Sequence, residues 1–187
     1  YGKDAYEDTL TLLDENGILH VGSGKNFSEA HTSIVKEVKG VRIAFLGYTN
    51  LLPSFLGKIT SQPSVASYSV RQVQKDIGEA KKIADMVVVS FHFGEEYSLR
   101  HNKDQETYAH LAIDEGASLV IGHHPHVVQE VEKYKDGYIF YSLGNFIFDQ
   151  NFSKETEKGL AVKVFVDSGK KTIERIEEYP VSFNAFY

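Results

Sequence analysis

The sequence contains no cysteine, which excludes disulfides, thiol nucleophiles and thiolate metal ligands while saying nothing firm about compartment. No apolar run approaches the ~18–20 residues that a membrane-spanning helix needs. An excess of basic charge is also lacking: 20 Lys and Arg stand against 26 Asp and Glu, a formal net charge of −6. Without a concentrated positive field, nucleic acid is not expected as a partner. Methionine occurs once, as Met86, so Tyr1 is not expected to be a translation start. A signal peptide, a membrane anchor or part of the domain is expected upstream. There is no internal repeat, low-complexity segment or interdomain linker. The balance of 42% apolar and 25% charged residues suits a globular chain, and residues 1–187 read as a single domain.

Helical spacing of Ala5, Leu10 and Leu13 predicts a helix over 4–15, stopped by Asn16-Gly17 and followed by a short strand over 18–21. Gly22-Ser23-Gly24-Lys25-Asn26 lacks the spacing of a phosphate-binding fingerprint and reads as a tight turn. Two β-branched runs, 33–38 and 41–48, flank Lys39-Gly40 as a hairpin, and residues 50–68 read as an irregular loop. Two strand and helix units follow: a helix over 70–84 and a strand over 86–91, then a helix over 103–115 and a strand over 118–121. Their continuous apolar strands predict a parallel or mixed sheet covered by helices, an α/β fold. Paired runs at 127–132 with 138–143, and at 160–166 with 172–178, predict an antiparallel last third.

Six of the eight histidines lie from His92 to His126, three of them within Gly122-His123-His124-Pro125-His126. His92 and this cluster each follow a predicted strand, and ligands of α/β sheets bind outside the carboxyl ends of strands. His124 and His126 are two apart, so an extended backbone held by Pro125 would put their rings on one face, with His123 pointing the other way. Clustered imidazoles with carboxylates suit zinc, iron, manganese or nickel. Glu95 and Glu96 lie just beyond His92, and Gly94 lets the chain turn so that a carboxylate returns toward the strand end as ligand or general acid/base. Asn145 follows a strand and reads as a ligand or substrate-orienting residue, or as a plain turn asparagine. His20, His31, His101 and His110 read as ordinary packed or hydrogen-bonded histidines.

Four motifs, in order, make the chain similar to a known family. They are Val88-Val89-Ser90-Phe91-His92-Phe93-Gly94-Glu95-Glu96-Tyr97, Ala109-His110-Leu111-Ala112-Ile113-Asp114-Glu115-Gly116-Ala117, Gly122-His123-His124-Pro125-His126-Val127-Val128-Gln129 and Tyr141-Ser142-Leu143-Gly144-Asn145-Phe146. Together they resemble bacterial capsule and poly-γ-glutamate biosynthesis proteins of the CapA/PgsA type, which in turn resemble calcineurin-like metallophosphoesterases. The resemblance implies a two-sheet sandwich flanked by helices, with a dinuclear centre of divalent manganese, zinc or iron at strand ends. His92 matches the isolated metal histidine, and His124 with His126 the closing pair, with His123 or His124 as the ligand left open. The early motifs of the family, an aspartate-bearing strand end and an asparagine-histidine pair, would lie upstream, so the N-terminal part of the domain is expected to be missing here.

The expected function is therefore a phosphoesterase-like hydrolase serving capsule or poly-γ-glutamate production, with Glu96 or His123 handling the proton and Asn145 at the substrate. A phosphoester or an anionic polymer is the expected substrate, and the expected location is the cell surface, through a membrane anchor outside this chain. The alternative is a noncatalytic accessory or scaffold subunit of a membrane synthase, although the acidic charge disfavours direct binding of an anionic polymer. Loss of the first strands predicts a docked upstream segment or self-association over the exposed edge.

Overall fold

The computed structural model describes residues 2–52 and 62–182. In chain order the elements are α1 (Gly2–Glu15), β1 (Ser23–Gly24), α2 (Phe27–Ala30), β2 (Ile34–Val38), β3 (Val41–Thr49), β4 (Ser64–Val65), α3 (Val70–Ile83), β5 (Met86–His92), α4 (Lys103–Asp114), β6 (Leu119–His123), β7 (Val131–Tyr134), β8 (Gly137–Phe140), β9 (Lys158–Asp167) and β10 (Thr172–Ser182). Both long sheet-covering helices start at side-chain caps. Ser69 accepts from the Gln72 amide to open α3, and Asn102 with Gln105 forms a reciprocal capping box at α4.

Six strands form one mixed sheet in the order β2-β3-β5-β6-β8-β7. The inner pairs β3 with β5, β5 with β6 and β6 with β8 are parallel, and the two edge strands are antiparallel. Strand period two then divides the core. Leu46, Tyr48, Val87, Val89, Phe91, Val120 and Ile139 are buried with Val73, Ile77 and Ala80 of α3 and Ala109 and Ala112 of α4. The opposite face presents Val88, Leu119, Ile121 and Phe140 to Leu160, Val162, Val164, Ile173 and Ile176 of the β9–β10 hairpin. The result is a two-sheet sandwich with helices outside the larger sheet.

Most predicted elements occur within one or two residues of their expected ends. The strand expected over 127–132 starts four residues later as β7, that over 138–143 ends three residues sooner as β8, and that over 172–178 runs four residues further as β10, while residues 18–21 form no strand at all. Ile18 and Leu19 are 54% and 57% exposed and have no ladder partner among the described residues, so the apolar run stays irregular, while Ser23–Gly24 pairs with Ser64–Val65. Apolar composition alone cannot make a strand without a neighbour to complete its hydrogen bonds. Of the predicted loop over 50–68, residues 53–61 lie outside the described residues, and β4 falls at its end. The second hairpin turns at Lys135-Asp136, one residue before the predicted Asp136-Gly137, with Tyr134 facing Gly137.

Candidate metal centre

Because β5 and β6 are parallel and in register, their last residues, His92 and His123, stand opposite one another at the carboxyl edge of the sheet. The chain leaves each strand by a sharp turn. Gly94 takes φ +100°, as expected of a glycine that brings the following carboxylates back. His124 and His126, however, take φ +104° and +60°, so they are not joined by the extended backbone expected from Pro125. The Tyr97 amide donates to the Pro125 carbonyl at 2.8 Å and the Phe93 amide to the His123 carbonyl at 3.0 Å, which locks the two loops together in this conformation. Tyr97 is itself at φ +65°. Three non-glycine residues in a sparsely populated backbone region, gathered at one strand edge, store local strain of the kind that functional sites hold.

The turns bring Glu96, His124 and His126 together, each offering a ligand atom, all within 4.8 Å of one another. The His92 ring centroid lies 4.7 Å from that of His124, and the His124 and His126 rings are 6.2 Å apart. Although His92 is exposed at the strand end, partial desolvation, and then the neighbouring imidazoles of His124, His123 and His126, hold it below the usual imidazole range. Burial also lowers His123. For His124, burial and His126 push down against the upward pull of the Glu96 carboxylate. For His92, His123 and His124 these shifts favour the neutral form, the state in which nitrogen ligates a metal. The donor set fits a borderline divalent ion, with two imidazoles, one carboxylate and a third imidazole beside them.

His123 faces elsewhere. It lines a groove of about 310 Å³ between the two sheets, with Leu119, Ile121, Phe140, Leu143 and Leu160. Glu95 is exposed, and only Glu96 of the pair joins the cluster. Asn145 is 6% exposed and engaged at both ends of its amide, by His126 Nδ1 at 2.8 Å and by the Thr156 carbonyl at 2.9 Å. The remaining histidines have protein partners: His20 with Asp14, His31 with Asp76, His101 with Glu130 and His110 with Glu132. Sequence spacing did not reveal the aromatic flank of the site. Tyr97 and Phe148 stack on the His126 ring at 6.0 and 5.3 Å, and Phe152 meets Tyr97 edge-on. These positions come from different loops, and nothing in their local pattern marks them.

A two-sheet α/β sandwich with histidines and a carboxylate gathered at the ends of parallel strands is the class of fold the chain adopts. Consistent with that class, the fold matches a putative 5′-nucleotidase from Staphylococcus aureus, with a TM-score of 0.54 at 19% identity over 82% of this chain and 30% of that one. The profile of the family described as bacterial capsule synthesis protein PGA_cap matches residues 1–150, and the chain belongs to that family. It is 36% identical to the capsule biosynthesis protein CapA of Bacillus anthracis over 93% of this chain and 43% of that protein. It is 38% identical to the PGA biosynthesis protein CapA of Bacillus subtilis (strain 168) over 86% of this chain and 42% of that protein. The chain therefore spans less than half the length of these curated relatives.

Proposed function

We propose that this domain serves capsule or poly-γ-glutamate production as a metal-dependent, phosphoesterase-like hydrolase. The observation that carries the reading is the convergence of Glu96, His124 and His126, with His92 alongside, at the carboxyl ends of β5 and β6. A divalent manganese, zinc or iron ion bound there would bring the pKa of a coordinated water toward ~7 and stabilise charge on the attacked centre. His124 and His126 supply imidazole nitrogens, and His92 extends the set toward a second position, consistent with a dinuclear centre in the intact protein. Glu96, exposed at the rim, either completes the ligand set or takes and returns a proton, whereas His123, first expected to share that proton role, lines the groove between the sheets instead. Asn145 supports the centre from behind His126.

The fold favours a phosphoester and the relatives' role in PGA biosynthesis favours a γ-glutamyl amide of the anionic polymer. The relatives' capsule role supports a location at the cell surface, with anchoring by a segment outside residues 1–187. Among the described residues no helix is long and apolar enough to cross a membrane. The test is metal analysis of the full-length protein combined with hydrolysis assays on phosphoesters and on poly-γ-glutamate. Stoichiometric transition metal with turnover of either substrate is the expected result. Carefully prepared full-length protein with neither metal nor turnover would establish the accessory or scaffold role in a membrane synthase instead.

A further inference from the structure

We infer that Asn145 is a positioning residue that fixes the tautomer and orientation of His126, so that Nε2 is the nitrogen presented to the cluster. The inference rests on the metal-centre reading above for its purpose, but its geometry stands on the protein alone. The Thr156 carbonyl can only accept a hydrogen bond. The Asn145 atom 2.9 Å from it must therefore be the Nδ2 donor. That fixes the amide orientation, since the flipped form would set two oxygens against each other and leave Nδ2 facing His126. Oδ1 is then the atom 2.8 Å from His126 Nδ1. An amide oxygen only accepts, so Nδ1 carries the proton and Nε2 keeps its lone pair.

Everything around Asn145 holds this arrangement. Thr156 is fully buried, and its own amide and hydroxyl bond to Ser153 Oγ and to the Ser153 carbonyl at 3.2 and 2.9 Å. The Asn145 amide donates to the Lys158 carbonyl at 3.2 Å, and Gly144 bridges to Gly159 on β9. The β9 strand thus braces the loop whose asparagine orients a histidine on the other side of the site. Partners of this kind, behind a ligating imidazole, set ring orientation and raise ligand basicity.

The test is a long-range ¹H–¹⁵N spectrum of the histidine rings in the metal-free full-length protein at about pH 8, where an ordinary imidazole is neutral. His126, assigned by its loss in His126→Asn, is expected as the Nδ1–H tautomer. His110, whose Nε2 faces Glu132 at 3.0 Å, supplies the opposite tautomer as an internal contrast. Asn145→Asp keeps an acceptor for Nδ1 and is expected to retain the pattern, although it loses the bond to Thr156. Asn145→Leu is expected to lose the tautomer preference and to weaken Co²⁺ binding, read by its absorption spectrum, by about 10- to 100-fold. An Nε2–H tautomer in the wild-type protein overturns the inference, as does Asn145→Leu with unchanged tautomer and Co²⁺ affinity. If Asn145→Leu does not fold, the wild-type and Asn145→Asp spectra decide. Failure of the wild-type protein to bind Co²⁺ overturns the metal-centre reading separately, because the tautomer is read without metal.

Discussion

The imidazoles of His92 and His124 lie 4.7 Å apart, although one closes β5 and the other opens the turn after β6. The parallel register of the two strands delivers this meeting, because it levels His92 with His123 and leaves the next residue to swing across the strand edge. Metal capture should therefore depend on residues from both strand ends. His92→Ala, His124→Ala and His126→Ala are each expected to lower metal content measured by elemental mass spectrometry on full-length protein. His20→Ala, whose ring pairs with Asp14 and is not part of the cluster, is expected to leave it unchanged. Equal metal content in all four variants would disprove the assignment.

The lowered pKa values of His92, His123 and His124 have a consequence for the metal-free protein. An unfolded histidine takes up a proton near pH 6.5, but in the folded protein burial delays uptake to lower pH. Between the two values the unfolded state binds more protons, so stability rises with pH there. The contribution is fully present above the unfolded value and is lost as pH falls through the folded ones. Thermal unfolding with a chelator present should shift to lower temperature between about pH 7 and pH 5, and His123→Gln should flatten that slope. A slope unaltered by the substitution would show that burial of His123 does not drive it.

The sheet and helices were legible because their signals are local and periodic. The strand over 86–91 and the helix over 70–84 carry their own apolar pattern and caps, so tertiary packing reinforced what the chain already favoured. The strand predicted over 18–21 failed because a strand is a relation to a neighbour, and among the described residues none pairs with Ile18 and Leu19. The gathering of His92 and the later histidine cluster at one edge was likewise readable, from topology. The backbone of the cluster was not: the left-handed conformations of His124 and His126 are imposed by the bond from Tyr97 to Pro125, a contact between loops that no spacing within either loop encodes. The partnership of Asn145 with His126 spans nineteen positions and was hidden for the same reason.

Gly159 should be more sensitive than its position in a β-strand suggests. A Cβ built there would lie 1.9 Å from the Asn145 carbonyl oxygen, a backbone atom that cannot step aside without moving the loop behind His126. Gly159→Ala is expected to cost about 1–3 kcal/mol in urea unfolding, the range for overpacking a closed site. It should also weaken Co²⁺ binding in the protein that folds. Gly78, where an added Cβ meets nothing within 4 Å on the α3 surface, is the matched control. Gly78→Ala should be neutral or stabilising by up to ~1 kcal/mol, as expected in a helix interior. Equal effects at the two positions would argue against the close approach.

Asp76 should be the costliest polar residue to remove from the helix-covered face. Its carboxylate accepts from Tyr48 Oη at 2.9 Å and Gln72 Nε2 at 2.7 Å, and pairs with His31 Nδ1 at 2.8 Å. The His31 and Asp76 side chains are both almost fully buried. Burial, with the Asp76 charge and hydrogen bond adding to it, pushes the Tyr48 hydroxyl well above its ordinary range, so Tyr48 remains a donor. Asp76→Ala strands these buried partners together and is expected to destabilise by about 3–5 kcal/mol. Asp76→Asn keeps an acceptor and should cost less, about 1–3 kcal/mol. Tyr48 stacks on Phe91, and Phe91 on Phe93, so the network pins α2 and α3 to the strands beneath the site without touching the metal cluster. Co²⁺ affinity of the folded Asp76→Asn protein should accordingly match wild type. A cost below 1 kcal/mol for Asp76→Ala in urea unfolding would show that solvent or rearranged neighbours satisfy the stranded groups.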